Sequence, residues 1–496
     1  MEPKKFYDIH FHAMDLSHAN ITAFINRFLQ QGILGSFRKK KNKRRTCRGI
    51  LIVGVVIALS LILWIPKLIW LHVLLSVTLL VLLVAFIILF FLPDSTGANW
   101  ILSFLTKLIK LDNIISKKNS SLNLLSFMES AIEYDFLVLE AFLREKDPVL
   151  DKHDNRLTIG DTRFDKIVLC PLVMDFGYSN INNPHIFYNI PPRKPVALQT
   201  SDLFRAIRKY YTHTLSIEKT KEQGNRQDVP QKMFTSAETS IPKEERLFEI
   251  YPFMGLNTKN YSREETEAML MKYFGDFDKK DTPEQRKRML FEKMGQFDGN
   301  LDHEDGQVFK NIFAGIKLYP PLGFEPWPDK DQEREKVVFL YETCIDRNIP
   351  VITHCSTNGF LVNDRYRAYS DPSNQWAEVL THYPQLKINF AHFGAGKQAW
   401  ENAIKSYILN DAHRVYTDFS CNTIKDTYYE RLAKQLEQQG SDKLEQRILF
   451  GTDFMIHLLW LESYNEYLHD FIRSRHLSEA RKVRFASENP EHFLFS

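Results

Sequence analysis

Cysteine is scarce in this chain. The five residues Cys47, Cys170, Cys344, Cys355 and Cys421 are odd in number and contain no CxxC pair. That argues against a secreted disulfide framework and a zinc knuckle, and it fits a reducing compartment. Net charge is also low, at +3 over 496 residues, too little to imply a nucleic-acid partner for the whole chain. Other signatures are missing as well. There is no GxSxG nucleophile elbow and no GxGxxG fingerprint. The run Gly394-Ala395-Gly396-Lys397 is not a phosphate loop, since Ala391 stands where its first glycine is needed and Gln398 follows the lysine. The opening stretch MEPKKFYDIHFH has no apolar core of the kind a signal peptide carries, so export is not expected.

What is present divides into a hydrophobic segment and a long α/β pattern. Arg38 to Arg48 packs eight basic residues into eleven positions. Gly49 to Leu92 follows, almost wholly apolar, broken by Pro66-Lys67 and His72. As a single helix those residues would reach about 66 Å, roughly twice the hydrocarbon thickness of a bilayer. Splitting at Pro66-Lys67 gives two expected spans, 49–65 and 68–92, and the basic flank places both outer ends in the cytoplasm. Residues 99–118 read as an amphipathic interfacial helix, with Trp100, Ile101, Phe104, Leu105, Leu108 and Leu111 as its apolar stripe. The expectation is a two-span membrane protein that touches lipid, with its catalytic part on the cytoplasmic side. The domain layout is a first strand within 1–14, a membrane segment at 38–118, and the remainder at 119–496 with a long insertion at about 178–245.

Outside that segment, short β-rich runs alternate with helical patterns, as in parallel α/β folds. Eight runs are candidates for strands: 5–12, 166–175, 247–255, 313–319, 350–354, 386–392, 414–419 and 447–453. Eight is the number a closed TIM-like (β/α)8 barrel requires. Helices are expected at 122–146, 263–274, 331–347, 374–382, 399–410 and 425–439. The stretch 178–245, rich in Pro, Asn and charge, reads as loops and one helix near 202–211, with a mobile part at 220–245.

In such barrels the reactive residues sit at the C-terminal ends of strands. Here the first candidate strand ends in His10-Phe11-His12, and the two-residue period turns both imidazoles to one face. His354 closes Pro-Val-Ile-Thr-His, His392 closes Ile-Asn-Phe-Ala-His, and Asp453 closes Ile-Leu-Phe-Gly-Thr-Asp. Each of these buried polar groups needs a partner, and one shared metal ion would serve them all. His10 and His12 precede the hydrophobic segment while the others follow it. A common site therefore requires an even number of membrane crossings.

The ordered set HFH (His10 to His12), THC (His354), AHFG (His392), GTDF (Asp453) and ENPEHF (Glu488 to Phe493) resembles the amidohydrolase superfamily. It is most similar to the amidohydrolase-2 branch that includes aminocarboxymuconate semialdehyde decarboxylase. The strand Gly315 to Gly323 (GIKLYPPLG) shares that likeness, which covers about 4–14 and 165–496. The resemblance implies one divalent metal, Zn²⁺ by donor type, on His10, His12, His354 and Asp453. Asp453 would accept a proton from the attacking water, and His392 would polarise the substrate or act as acid/base. Lys317 stands where some members carry a carboxylated lysine bridging two metals; otherwise it would contact a charged substrate, with Tyr319 beside it. Asp418 and Asp175 are further candidates to orient ligands or bind substrate. The implied activity is hydrolysis of a C–N or C–O bond in a small, anionic substrate. Decarboxylation or hydration at the same metal, or a non-catalytic metal-binding scaffold, are the alternatives.

Overall fold

The computed structural model of the chain describes residues 4–15, 18, 132–145, 149–151, 153–176, 196–220, 231–301, 310–421, 426–438, 441–459, 461 and 463–496. Thirteen strands lie within them. In chain order they are β1 (Lys5–Phe11), β2 (Leu157–Ile159), β3 (Thr162–Phe164), β4 (Lys166–Pro171), β5 (His213–Thr220), β6 (Gln231–Glu238) and β7 (Phe248–Ile250). Then come β8 (Phe253–Gly255), β9 (Gly315–Leu318), β10 (Val351–Thr353), β11 (Ile388–Phe390), β12 (Val415–Asp418) and β13 (Ile448–Leu449).

Two parallel sheets form one ring. The first runs β1-β4-β7 and the second β13-β12-β11-β10-β9-β8. Strands β7 and β8 are one run interrupted at Tyr251-Pro252, because proline has no N–H to give to a ladder. A parallel bridge between Leu172 and Phe253 joins the sheets on that side. The ring closes between β13 and β1, where Ile9 N donates to Phe450 O at 3.1 Å and Asp453 N donates to His10 O at 2.7 Å. A further parallel bridge pairs Phe11 with Phe454. All eight expected strands are therefore present, arranged as an α/β barrel of the TIM type.

The barrel strands are buried on both faces, as strands enclosed by helices must be. Helices follow them at Arg263–Phe274, Asp331–Asp346, Gln375–His382, Gln398–Leu409 and Asp426–Leu436, close to the expected ranges. Local chemistry fixes some of their starts. Ser262 and Glu265 form a reciprocal capping box, and Thr282 with Gln285 does the same ahead of Pro283. The hairpin of β5 and β6 pairs His213 with Glu238 through to Thr220 with Gln231. It replaces the loop and mobile stretch expected there. Its sequences HTLSIEKT and QKMFTSAE mix polar and apolar residues without the strict alternation that marks a half-buried strand.

The expectation of a two-span membrane protein is corrected. Among the described residues no helix is long and apolar enough to cross a membrane. The longest, Val196–Thr212, has 17 residues and so reaches about 25 Å, short of the roughly 30 Å hydrocarbon layer. The expected spans 49–65 and 68–92 and the amphipathic helix 99–118 lie outside the described residues.

Phe450, wholly buried beside the closing seam, packs its ring edge-on to Phe6 at 5.0 Å and tilted against Phe471 at 4.5 Å. Phe450→Ala should therefore destabilise the protein by about 3–5 kcal/mol. Denaturant unfolding checks this, and a loss under about 1 kcal/mol would show that the seam is not the packing centre described.

Candidate active site

The ends of five barrel strands deliver their polar residues to one place. His10 ends β1 and His12 lies just beyond it; His354 follows β10, His392 follows β11, Asp418 ends β12, and Asp453 follows β13. The close approach of first and last strands depends on Gly451, where a Cβ would lie 2.7 Å from that of His10. His392 and Asp453 both hold left-handed backbone conformations, with φ of 65° and 58°. Such conformations disfavour side-chain-bearing residues and recur where surrounding structure enforces them at functional sites.

The donor atoms of His10, His12 and Asp453 lie within 4.8 Å of one another, all buried. His12 Nε2 is 3.1 Å from Asp453 Oδ1, and His10 Nε2 is 3.5 Å from the same oxygen. The far nitrogens decide what these contacts mean. His12 Nδ1 is 3.0 Å from the carbonyl of Leu172, and His10 Nδ1 is 3.2 Å from Asp418 Oδ2. Both partners only accept, so both Nδ1 atoms carry hydrogen. Each neutral ring then turns a lone pair on Nε2 toward a carboxylate oxygen. Only a positive charge between them, a proton on the ring or a metal ion, makes that arrangement attractive. Fixing the far nitrogen with a carboxylate or carbonyl is also how metal-ligating histidines are held.

His354 stands next to this group rather than within it. Its Nδ1 is 3.1 Å from His392 Nε2, and its Nε2 is 3.0 Å from the carbonyl of Asn358. Gly359, at φ 111°, permits that contact, since a Cβ there would lie 2.8 Å from His354 Nε2. His12, His354, His392, Asp453 and Tyr319 all line one cavity of about 130 Å³. At about 10–15 Å³ for one water on this measure, that is room for a compact small molecule. Asp418, expected as a substrate contact, is fully buried and is absent from the cavity wall. Asp175 accepts from Asn260 Nδ2 at 2.5 Å. Lys317 is 1% exposed, and its Nζ has no hydrogen-bond partner among the described residues. It lies 5.7 Å from the Tyr319 ring.

Burial sets the electrostatics. It lowers the His10 pKa to about 3, helped by the Lys317 charge and opposed by Asp418 and Asp453. It likewise pushes His354 well down, with His392 and Lys317 adding to the effect, and lowers His392. Asp453 goes the other way. Burial raises its pKa, but a proton gained by His12, His10 or His392 beside it outweighs that and holds it well below the carboxylate range. Burial brings Lys317 down to about 8 against the pull of Asp418 and Asp453.

Two participants escaped the sequence reading. Asp8 receives Thr452 Oγ1 at 2.6 Å, Thr452 N at 3.0 Å, Tyr464 Oη at 3.1 Å and His10 N at 3.2 Å. Ser420 Oγ lies 3.1 Å from His10 Nδ1 and 2.9 Å from His392 Nδ1. The signal was available, because Asp8 precedes His10 and Ser420 follows Asp418 at the same two-residue strand period.

Residues 295–495 match the family model described as amidohydrolase. The match supports the amidohydrolase superfamily. It spans His354, His392 and Asp453 and stops short of His10 and His12. An amidohydrolase-type enzyme is the function class it supports. No curated protein matches. Among solved structures, a 5-carboxyvanillate decarboxylase from Novosphingobium aromaticivorans, with bound manganese, is similar at 11% identity and a TM-score of 0.31, covering 74% of this chain and 88% of that one. An amidohydrolase from Mycobacterium avium subsp. paratuberculosis is similar at 11% identity and a TM-score of 0.30, covering 67% and 71%.

Asp8 gives this amidohydrolase-like barrel a pH signature. Burial raises its pKa from 3.8 to about 7 despite the bonds from Thr452, Tyr464 and His10. Between those values the folded state holds a proton that the unfolded chain has released. The associated stability is therefore complete below about pH 4 and is lost as pH rises through about 7. Unfolding free energies of wild type and Asp8→Asn, measured from pH 4 to 8, should diverge by that dependence; parallel curves would contradict it.

Proposed function

We propose that the chain is a metal-dependent hydrolase cleaving a C–N or C–O bond of a small, anionic substrate, with His10, His12, His354 and Asp453 as the ligands. The observation that carries this reading is the pair of imidazole lone pairs facing Asp453 Oδ1. Two acceptors and a carboxylate, all buried, need a cation between them. Three imidazoles and a carboxylate suit Zn²⁺, with a further position for water. A divalent ion held there supplies Lewis acidity and makes water acidic enough to lose a proton near neutral pH.

The chain's own residues do the rest. Asp453, held ionised by its histidine neighbours, accepts the proton of the attacking water. The proton taken by Asp453 would reach the leaving group directly or through His392, which lines the cavity and is kept neutral by burial. The buried Lys317 ammonium supplies positive charge beside the cavity, and a substrate anion would offset the cost of burying it.

That same lysine supports a second reading, decarboxylation at the same residues, in which the Lys317 charge retains the carboxyl-bearing substrate. Product analysis separates the two: hydrolysis of amides or lactones releases acid, whereas decarboxylation of carboxylates releases CO₂.

Metal analysis of the purified full chain should find about one Zn²⁺ per chain in wild type and none in His12→Ala. Asp453→Asn should lower turnover by at least about 100-fold, the scale of a lost proton acceptor. Absence of bound metal from wild type would sink the proposal.

A further inference from the structure

Asp418 ends β12 with its side chain fully buried, and its two oxygens collect five donors from three strand ends. Oδ2 accepts from Asn389 Nδ2 at 2.7 Å and from His10 Nδ1 at 3.2 Å. Oδ1 accepts from the backbone N–H of His392 at 3.0 Å, the backbone N–H of Ser420 at 3.1 Å, and the Ser420 hydroxyl. With every lone pair taken and no place in the cavity wall, the carboxylate has nothing left to offer a substrate.

We propose that Asp418 is the positioning residue of the site: it fixes His10 as the Nδ1–H tautomer and, through Ser420 and the His392 backbone, sets the His392 ring. The consequence for a metal rests on the function proposed above; the tautomer does not. A carboxylate can only accept, so the His10 nitrogen facing it must carry hydrogen and Nε2 is left with its lone pair toward Asp453. The hydroxyl extends this control. With its proton directed to Asp418, Ser420 Oγ presents lone pairs to His10 Nδ1 and His392 Nδ1, at 3.1 and 2.9 Å. The backbone bond from His392 N to Asp418 also pins the left-handed turn at φ 65° that brings this ring into the cavity.

The same bonds explain a second group of metal-type donors. His10, His392 and Asp418 also lie within 4.8 Å of one another, but the Ser420 hydroxyl sits among them and hydrogen bonds engage both Asp418 oxygens. That group is an internal network, and His10 belongs to the metal-facing set through Nε2 alone.

The test uses the full chain labelled with ¹⁵N-histidine, free of metal, together with Zn²⁺ binding by chelator competition. Wild type should show His10 protonated at Nδ1. In Asp418→Asn the new amide N–H₂ can donate to Nδ1, so His10 should shift toward the Nε2–H tautomer. Zn²⁺ affinity should then fall by about 10–100-fold, the scale of lost outer-sphere partners. Ser420→Ala keeps the carboxylate and should keep the tautomer. An Nε2–H wild type overturns the proposal, and so does an Asp418→Asn protein with unchanged tautomer and unchanged affinity. If Asp418→Asn does not fold, the wild-type and Ser420→Ala tautomers decide. A wild type that binds no Zn²⁺ defeats the metal reading and leaves the tautomer to settle this one.

Discussion

The seam between β1 and β13 is the constraint on which the rest of the structure depends. Asp8 and Thr452, 444 positions apart in sequence, share two hydrogen bonds there. Just beyond them, two residues along β1 from Asp8 and one residue on from Thr452, the backbone of Asp453 donates to that of His10. Closing the barrel and assembling the site are thus the same event. Neither the paired imidazoles nor the carboxylate they face has meaning until the ends of the chain meet. A site built from contacts of such long sequence separation is entropically costly to form and late to appear. Phe450, packed among Phe6 and Phe471, supplies apolar burial at the same seam, so packing and chemistry support one another where the ring closes.

The sequence disclosed the strands better than their connections. Each barrel strand is a short apolar run ending in a polar residue, a pattern readable without knowing its partners. The positions of His10, His12, His354, His392 and Asp453 at such ends suggested a common site, and the structure brings them to one cavity neighbourhood. What could not be read was the hydrogen-bonding order behind them. Asp8 and Ser420 look like ordinary strand and loop residues in one dimension, because their importance lies in contacts to segments some 400 residues away. The hairpin of β5 and β6 was missed for a different reason. Its second strand, QKMFTSAE, lacks the alternation that marks a half-buried strand.

The hydrophobic segment shows where a composition argument stops. Its apolar runs suggested membrane crossing and tied the topology to the shared site, yet none of the described helices has the length or character to cross. The convergence of His10 and His12 with Asp453 stands without it. The described residues close the barrel through the bonds between β1 and the residues around β13.

Reaction type is governed by what surrounds the donors rather than by the donors themselves. The imidazoles and carboxylates are fixed by internal acceptors and donors, and those bonds would be the same for hydrolysis or for loss of CO₂. The cavity wall differs in kind: Met174, Phe360 and Ile456 are apolar, and the Tyr319 hydroxyl already accepts from the Phe360 backbone. Ser356, Asn358 and His392 add polar groups to that wall. Lys317 lies nearby, buried with no hydrogen-bond partner among the described residues, and the carboxylates of Asp418 and Asp453 offset part of its cost of burial. Under the proposed function, whether a bond is hydrolysed or CO₂ is lost would depend on where the substrate's bond lies relative to Asp453 and His392.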